Sequence, residues 1–408
     1  MTSEHYEITK YQPAFKDQVL ALQKNLWGPD IHLNAAYLDW KYDQNPYVDE
    51  PLIWLAHCAG QVIGMLGSFG AAWEIGPTEI MHSLSLADLV IDPAHRNRRI
   101  LPKLLEFALQ ELAHSAYPVV FDLSATPDVA LVMMMNGWRS IYLQTAHRQY
   151  YPSVTRDSAT RDQGQTSWPR QSYGKLRTYA KTTPLVVNLY QHLRRVKQKV
   201  FTQQARTQAR HSFQTFDENQ AKRRPQDKPQ IRVQTVPQPA RMAELVRRLP
   251  QDGRIRHIRD EQYFTWRFQN PLSCYRFLFW EEAQLEGYLV LQTKATAHDA
   301  TAWVNIVDWE ATNESAALEL LDAALAWGEL KELEIWTATI TEGVKIRLAD
   351  RDFCFRNRTG SAVRDAHGEH LMFHPLPSEY GQAYNNQTSR HLADLASWDI
   401  RMIYSDGV

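Results

Sequence analysis

The stretch Tyr37-Leu38-Asp39-Trp40-Lys41-Tyr42-Asp43-Gln44-Asn45-Pro46 returns late in the chain, one residue shorter, as Tyr263-Phe264-Thr265-Trp266-Arg267-Phe268-Gln269-Asn270-Pro271. Tyr, Trp, Asn and Pro recur in order, Arg stands for Lys, and Phe stands for Tyr. The surroundings repeat as well. An apolar run follows each Asn-Pro (residues 52–56 and 277–280), and Gln61 or Gln284 then precedes Gly64 or Gly287 by three residues. Two helix ends that both halt at Asn-Pro would share the motif by chance, but not the matching order downstream. The chain therefore reads as a duplication, which restricts it to two copies of one unit.

Each copy has the same outline. One or two helices come first (residues 13–26 with 33–42; 239–249 with 260–268). A meander of strands follows, then a strand feeding a helix (84–91 into 102–114; 301–308 into 315–327). A strand, a short helix and a closing strand end each copy (118–123, 128–135, 138–143; 332–338, 344–349, 353–358). Hairpins followed by one β-α-β crossover define an α/β unit with a mixed, mostly antiparallel sheet. The expected boundaries are 1–151 for the first unit, 152–230 for a linker, 231–378 for the second unit and 379–408 for a tail. The linker carries sixteen Lys and Arg against five Asp and Glu, and residues 185–200 show apolar side chains at helical spacing. It reads as a solvated connecting helix, with a basic arm for RNA or a phosphorylated ligand as the alternative.

Composition narrows the class. A hydrophobic fraction of 44% and 13 tryptophans supply cores for a globular chain of 408 residues. The net charge of −1 points to no polyanion as a general partner. Cys58, Cys274 and Cys354 lie far apart with no CxxC pair, which excludes a disulfide framework and a cysteine zinc site and suits a reducing compartment. There is no apolar leader and no run of membrane-spanning length, so no membrane partner is expected and the expected location is the cytoplasm.

Chemistry is most legible at 87–109, ADLVIDPAHRNRRILPKLLEFAL. A strand ends at Asp92-Pro93, a basic turn follows, and an amphipathic helix begins near Pro102. The first amides of a helix lack intrahelical acceptors and carry partial positive charge, so the helix entrance suits an anion. Proline costs nothing in the first turn. The turn Arg96-Asn97-Arg98-Arg99-Ile100-Leu101 holds three arginines and no glycine.

These features, with the Val62-Ile63-Gly64 strand and the closing Asn136-Gly137-Trp138, resemble the GNAT superfamily of coenzyme-A-dependent N-acyltransferases. The whole chain resembles its two-domain members, with a degenerate second copy. The resemblance implies two tandem GNAT-like units joined by the basic segment. It also implies a fourth strand splayed from the fifth, with the pantetheine arm of acetyl-CoA or another acyl-CoA in the gap. Family members carry Gln/Arg-x-x-Gly-x-Gly/Ala where this chain has 96–101, so Arg99 and Leu101 replace small residues. The implied donor-binding set is Leu89, Val90, Ile91, Arg96, Asn97, Arg98, Arg99, Ile100, Leu101, Ser124 and Asp128. The family's usual proton donor, a tyrosine, is replaced by Met133, which has no proton to give. Asp88, His82 and Asp122 are the candidate catalytic bases, each with a structural role as its plainer alternative. Nothing near Cys58 offers a His-Asp pair to activate a nucleophile. The second copy reads Val307-Asp308-Trp309-Glu310-Ala311-Thr312-Asn313-Glu314, where acids would repel a pyrophosphate. The implied reaction is direct acyl transfer to the amine of a small molecule such as an amino sugar or amino acid. A tRNA-dependent aminoacyl transferase and a non-catalytic binding protein stay open as alternatives.

Overall fold

The computed structural model describes residues 5–76, 79–143, 145–149, 230–294, 304–326, 332–338, 340–351, 353–356, 370–376 and 392–405. The basic segment 152–229 and residues 406–408 lie outside them.

The first unit contributes β1 (Tyr6–Lys10), α1 (Lys16–Trp27), α2 (Ile31–Leu38), β2 (Leu52–Cys58), β3 (Gln61–Ile75), β4 (Glu79–Ile91), α3 (Ile100–Leu112), β5 (Val119–Ala125), α4 (Pro127–Met135), β6 (Arg139–Tyr142) and β7 (Thr145–Gln149). The second contributes β8 (Gln230–Gln234), α5 (Pro239–Arg248), β9 (Ile255–His257), α6 (Glu261–Arg267), β10 (Ser273–Glu281), β11 (Leu285–Lys294), β12 (Val304–Ala311), α7 (Glu314–Leu325), β13 (Glu332–Trp336), α8 (Glu342–Asp350), β14 (Cys354–Arg356), β15 (His370–Pro375) and β16 (Trp398–Asp399). Local chemistry fixes several ends. Asp30 caps α2 by accepting from the His32 and Leu33 amides, Gly28 ends α1 with φ of 111°, and Asp260 caps α6 through the Tyr263 amide. The repeat motif continues α2 as a π-helical turn, Asp39–Asp43, and buries Trp40, Lys41 and Tyr42 together.

The two sheets run β1-β2-β3-β4-β5-β15-β6 and β14-β7-β13-β12-β11-β10-β8. Along these paths each is antiparallel except at its crossover, where β4 lies parallel to β5 and β12 parallel to β13, and β9 and β16 extend the first sheet from β3. The sequence predicts each copy closing on its own strands, but the structure exchanges one. β15 enters the first sheet between β5 and β6, with Phe373 opposite Phe121 and Leu371 opposite Ile141. β7 enters the second between β13 and β14, with Ala146 opposite both Ile335 and Phe355. Neither 1–151 nor 231–378 therefore contains a complete sheet. Backbone pairing has no sequence code that distinguishes one strand of a duplicated pair from the other, so the swap is invisible in composition.

A central core lies between the sheets and draws on both copies, including Tyr37, Trp40, Phe69, Phe121, Tyr263 and Trp266. Separate cores sit under α3 and α4 in the first unit and under α7 and α8 in the second. The repeat motif forms the junction. Trp40 and Trp266 stack 5.0 Å apart at 12°. Each indole donates to the other's backbone: Trp40 Nε1 to Trp266 O at 2.7 Å, and Trp266 Nε1 to Trp40 O at 2.9 Å. This reciprocity is the local signature of a two-fold relation between copies.

The C-terminal segment seals the junction. β16 runs parallel to β9, and Arg267 donates to the carbonyls of Ile403 at 2.8 Å and Ser405 at 2.6 Å. Beside it, His257 is buried against Trp73, Tyr263 and Tyr404 and its Nδ1 lies 2.7 Å from the Ile258 carbonyl. Burial pushes its pKa down to about 3, so the folded state holds the ring neutral. The unfolded chain takes up a proton below the ordinary value of 6.5. The stabilisation is present above that pH and lost as pH falls toward the folded value. The shift corresponds to roughly 4–5 kcal/mol. Urea midpoints measured from pH 7 down to pH 4 are expected to fall steeply for the native chain and less steeply for His257→Phe. Equal slopes would contradict this assignment.

Candidate active site

β4 and β5 pair over only two positions, Leu84 with Val120 and Ser85 with Phe121. Beyond these they part, and a cavity of about 220 Å³ opens between them. Its wall is largely apolar, from Leu66, Leu86, Leu89, Leu101 and Leu105, with Asp88, Asp122, Ser124 and Thr126 as the polar groups. Leu26 and Trp27 from the end of α1 also border it. The β3–β4 ladder passes from Gly67–Ala87 to Met65–Val90, so Asp88 and Leu89 form a bulge opposite Leu66. Asp88 sits at φ of 52°, a left-handed conformation that aspartate tolerates better than most residues.

A buried network holds the bulge. Tyr42 donates to Asp88 Oδ2 at 2.7 Å and Tyr37 to Oδ1 at 3.3 Å. Lys41 Nζ reaches Oδ1 at 3.2 Å and the Tyr37 hydroxyl at 2.9 Å. Both ionic side chains are shielded from water, at 1% and 0% exposure. Lys41 also lies over the Tyr37, Tyr42 and Phe69 rings. Lys41, Tyr37 and Tyr42 thus tie the carboxylate to the repeat motif and anchor the strand. Gly67 is required here because a Cβ would lie 1.9 Å from the Tyr42 hydroxyl.

The arginine turn leads into α3 with the conformation that glycine usually supplies. Arg99 adopts φ of 58° and ψ of 29°, and Asn97 φ of 64°. No side chain caps α3, so its leading amides face outward. Arg96 Nε bonds the Ile91 carbonyl at 3.2 Å, Arg98 reaches the Tyr6 hydroxyl at 3.1 Å, and Arg99 is exposed. The helix begins at Ile100, earlier than predicted, with Pro102 still in its first turn. Ile100 and Leu104 pack against the strand at Gly64, where a Cβ would sit 3.5 and 3.6 Å from them.

The cavity thus unites Asp88, Leu89, Leu101, Asp122 and Ser124 from the sequence-derived set. Asp122 is buried and accepts from the Ser124 amide at 2.9 Å. Ile100 lies buried below the turn. Val90 points to the core under α1, and Asp128 is exposed outside the cavity wall. His82 is exposed on the β3–β4 hairpin opposite Ala72 and does not border the cavity. Met133 is buried and lines it. Neither Cys58 nor Cys274 borders it. Leu26 and Trp27 escaped sequence reading because their α1 is distant in sequence and carries no motif. Among the described residues no cluster of His, Cys, Asp and Glu is arranged to hold a metal, and no helix is long and apolar enough to cross a membrane.

The corresponding place in the second unit is built differently. Only Thr312 and Asn313 separate β12 from α7, so no arginine turn exists there. Asp308, near the end of β12, is paired with Arg259 at 3.0 Å and Arg401 at 3.3 Å rather than with a motif lysine.

The sequence matches no family model and no curated protein. The structure does match solved ones. A GCN5-related N-acetyltransferase from Anabaena variabilis ATCC 29413 superposes with a TM-score of 0.51 at 10% identity, over 90% of this chain and 72% of that one. A conserved protein from Enterococcus faecalis V583 gives 0.51 at 9% identity, over 91% and 73%. The chain accordingly has the fold of the GCN5-related N-acetyltransferases, present here as two tandem α/β units.

Proposed function

We propose that the first unit is an acyl-CoA-dependent N-acyltransferase acting on the amine of a small molecule such as an amino sugar or amino acid. The observation that carries this reading is the slot between β4 and β5, an apolar cavity that reaches Leu101 in the first turn of α3, next in sequence to the arginine turn. The residues fit the donor. Uncapped amides and guanidiniums suit a pyrophosphate, and the leucine-lined cavity suits a pantetheine arm. In the reaction the amine lone pair adds to the thioester carbonyl, the C–N bond forms, the C–S bond breaks and the thiolate leaves. Among the described residues no cysteine borders the cavity to form an acyl-enzyme, which favours direct transfer. Asp122, which borders the cavity and accepts from the Ser124 amide, is the carboxylate assigned to take the ammonium proton. Met133 supplies no proton, so the departing thiolate is protonated by water.

The test is release of free thiol from acetyl-CoA in the presence of a panel of amino sugars and amino acids. Asp122→Asn is expected to lower kcat by about 10²–10⁴-fold with little change in KM for acetyl-CoA. His82→Ala is expected to leave both parameters unchanged. Thiol release at the native rate by Asp122→Asn would remove Asp122 from the mechanism, and no release with any amine would remove the proposed function.

A further inference from the structure

The second unit has its own cavity, about 220 Å³, between β12 and β13. We propose that it binds a different ligand: a small molecule with an apolar body and a positively charged nitrogen. The wall is aliphatic and aromatic, including Ile306, Ala317, Ile335, Val344, Trp309 and Trp336. Such a surface excludes water and suits hydrocarbon, and indole rings also attract cations. The polar groups at the same cavity are chiefly acidic. Asp308, Glu310 and Glu314 all border it.

Charge complementarity selects the ligand. Arg401 also borders the cavity, but its guanidinium is shared among Asp308 at 3.3 Å, Glu310 at 2.8 Å and Asp399 at 2.8 Å. Arg259 is likewise committed to Asp308 and Glu310. The two guanidiniums thus match Asp308 and Glu310, and no cation of this cluster is left over to meet an anion at the cavity. Glu314, held by the Thr341 hydroxyl at 2.8 Å, then leaves a net negative charge at the cavity edge. Buried charge of one sign favours an incoming charge of the other. An anion finds the opposite situation. The entrance of α7 is filled by the Asn313 side chain bonded to the Ala316 amide, and Glu314 stands in its first turn. The duplicated slot has thus changed sign, from arginine-rich in the first unit to acid-rich in the second.

The inference stands apart from donor binding in the first unit. Calorimetric titration of the full chain uses three probes of one shape: phenethylamine as its ammonium, neutral 2-phenylethanol, and anionic 3-phenylpropionate. The ammonium is expected to bind at least about tenfold more tightly than the alcohol, and the carboxylate more weakly than either. Glu314→Gln, at an exposed position, is expected to weaken the ammonium several-fold and leave the alcohol unchanged. Ala317→Phe, which fills the cavity, is expected to abolish binding, and Ile340→Trp provides a second filled cavity at a half-buried site should the first variant fail to fold. Equal affinities for ammonium and alcohol, an undiminished ammonium isotherm in a folded filled-cavity variant, or displacement of phenethylamine by acetyl-CoA would each overturn the proposal.

Discussion

Lys41→Met is expected to destabilise the protein by about 3–5 kcal/mol, because it strands the Asp88 carboxylate in a buried site. The ammonium is almost wholly enclosed, bonded to Asp88 and the Tyr37 hydroxyl and surrounded by three aromatic rings. Methionine replaces the stem but not the charge. The Tyr37 and Tyr42 hydroxyls on the carboxylate do not neutralise it. Much of the loss is therefore the cost of an unpaired ion rather than the worth of the pair. Lys41→Met combined with Asp88→Asn removes both charges and keeps a side chain that tolerates φ above zero, so it is expected to recover most of the stability. Denaturant midpoints of the two single variants and the double variant measure the coupling directly. Additive effects would show that the pair is not the element holding the bulge.

Arg99→Gly and Arg99→Pro are expected to separate backbone from charge at the arginine turn. Glycine adopts the left-handed φ of 58° seen at Arg99 without strain, so it preserves the amide cradle and removes one guanidinium. Loss of one charge-assisted contact, about 1.5–3 kcal/mol at most, corresponds to roughly a 10–100-fold weakening of acetyl-CoA. Proline fixes φ near −65° and cannot occupy this conformation, so the turn must rearrange. Arg99→Pro is expected to lose all measurable donor binding while the far surface of the chain remains folded, as judged by near-UV circular dichroism. If Arg99→Gly were the more damaging change, binding would depend on the guanidinium and not on the helix entrance.

The repeat, the helices and most strands were legible because their signals are local. Periodicity, Asn-Pro stops and capping residues such as Asp260 are written within a few residues of the elements they define. The arginine turn was legible for the same reason, although its backbone was only half so: Asn97 favours the left-handed region, but nothing announces it at Arg99. What depended on distant partners was hidden. Asp88 has the strand position of a catalytic base, and only the fold brings Lys41, Tyr37 and Tyr42 onto it. His82 is on the same strand, yet the long β3–β4 hairpin carries it out of the site. The exchange of β7 and β15 is hidden because each strand is chemically acceptable in either sheet. The sign change between the two slots could be read from Glu310 and Glu314, but the cavity behind them could not.

One slot out of two is assigned to grip an acyl-CoA, through the amides and guanidiniums at the start of α3. Isothermal titration of acetyl-CoA into the native chain tests this directly, with Arg99→Pro as the paired variant. The account predicts one molecule bound per chain and none by the variant. No heat of binding to the native chain, or an unchanged isotherm in Arg99→Pro, would contradict it.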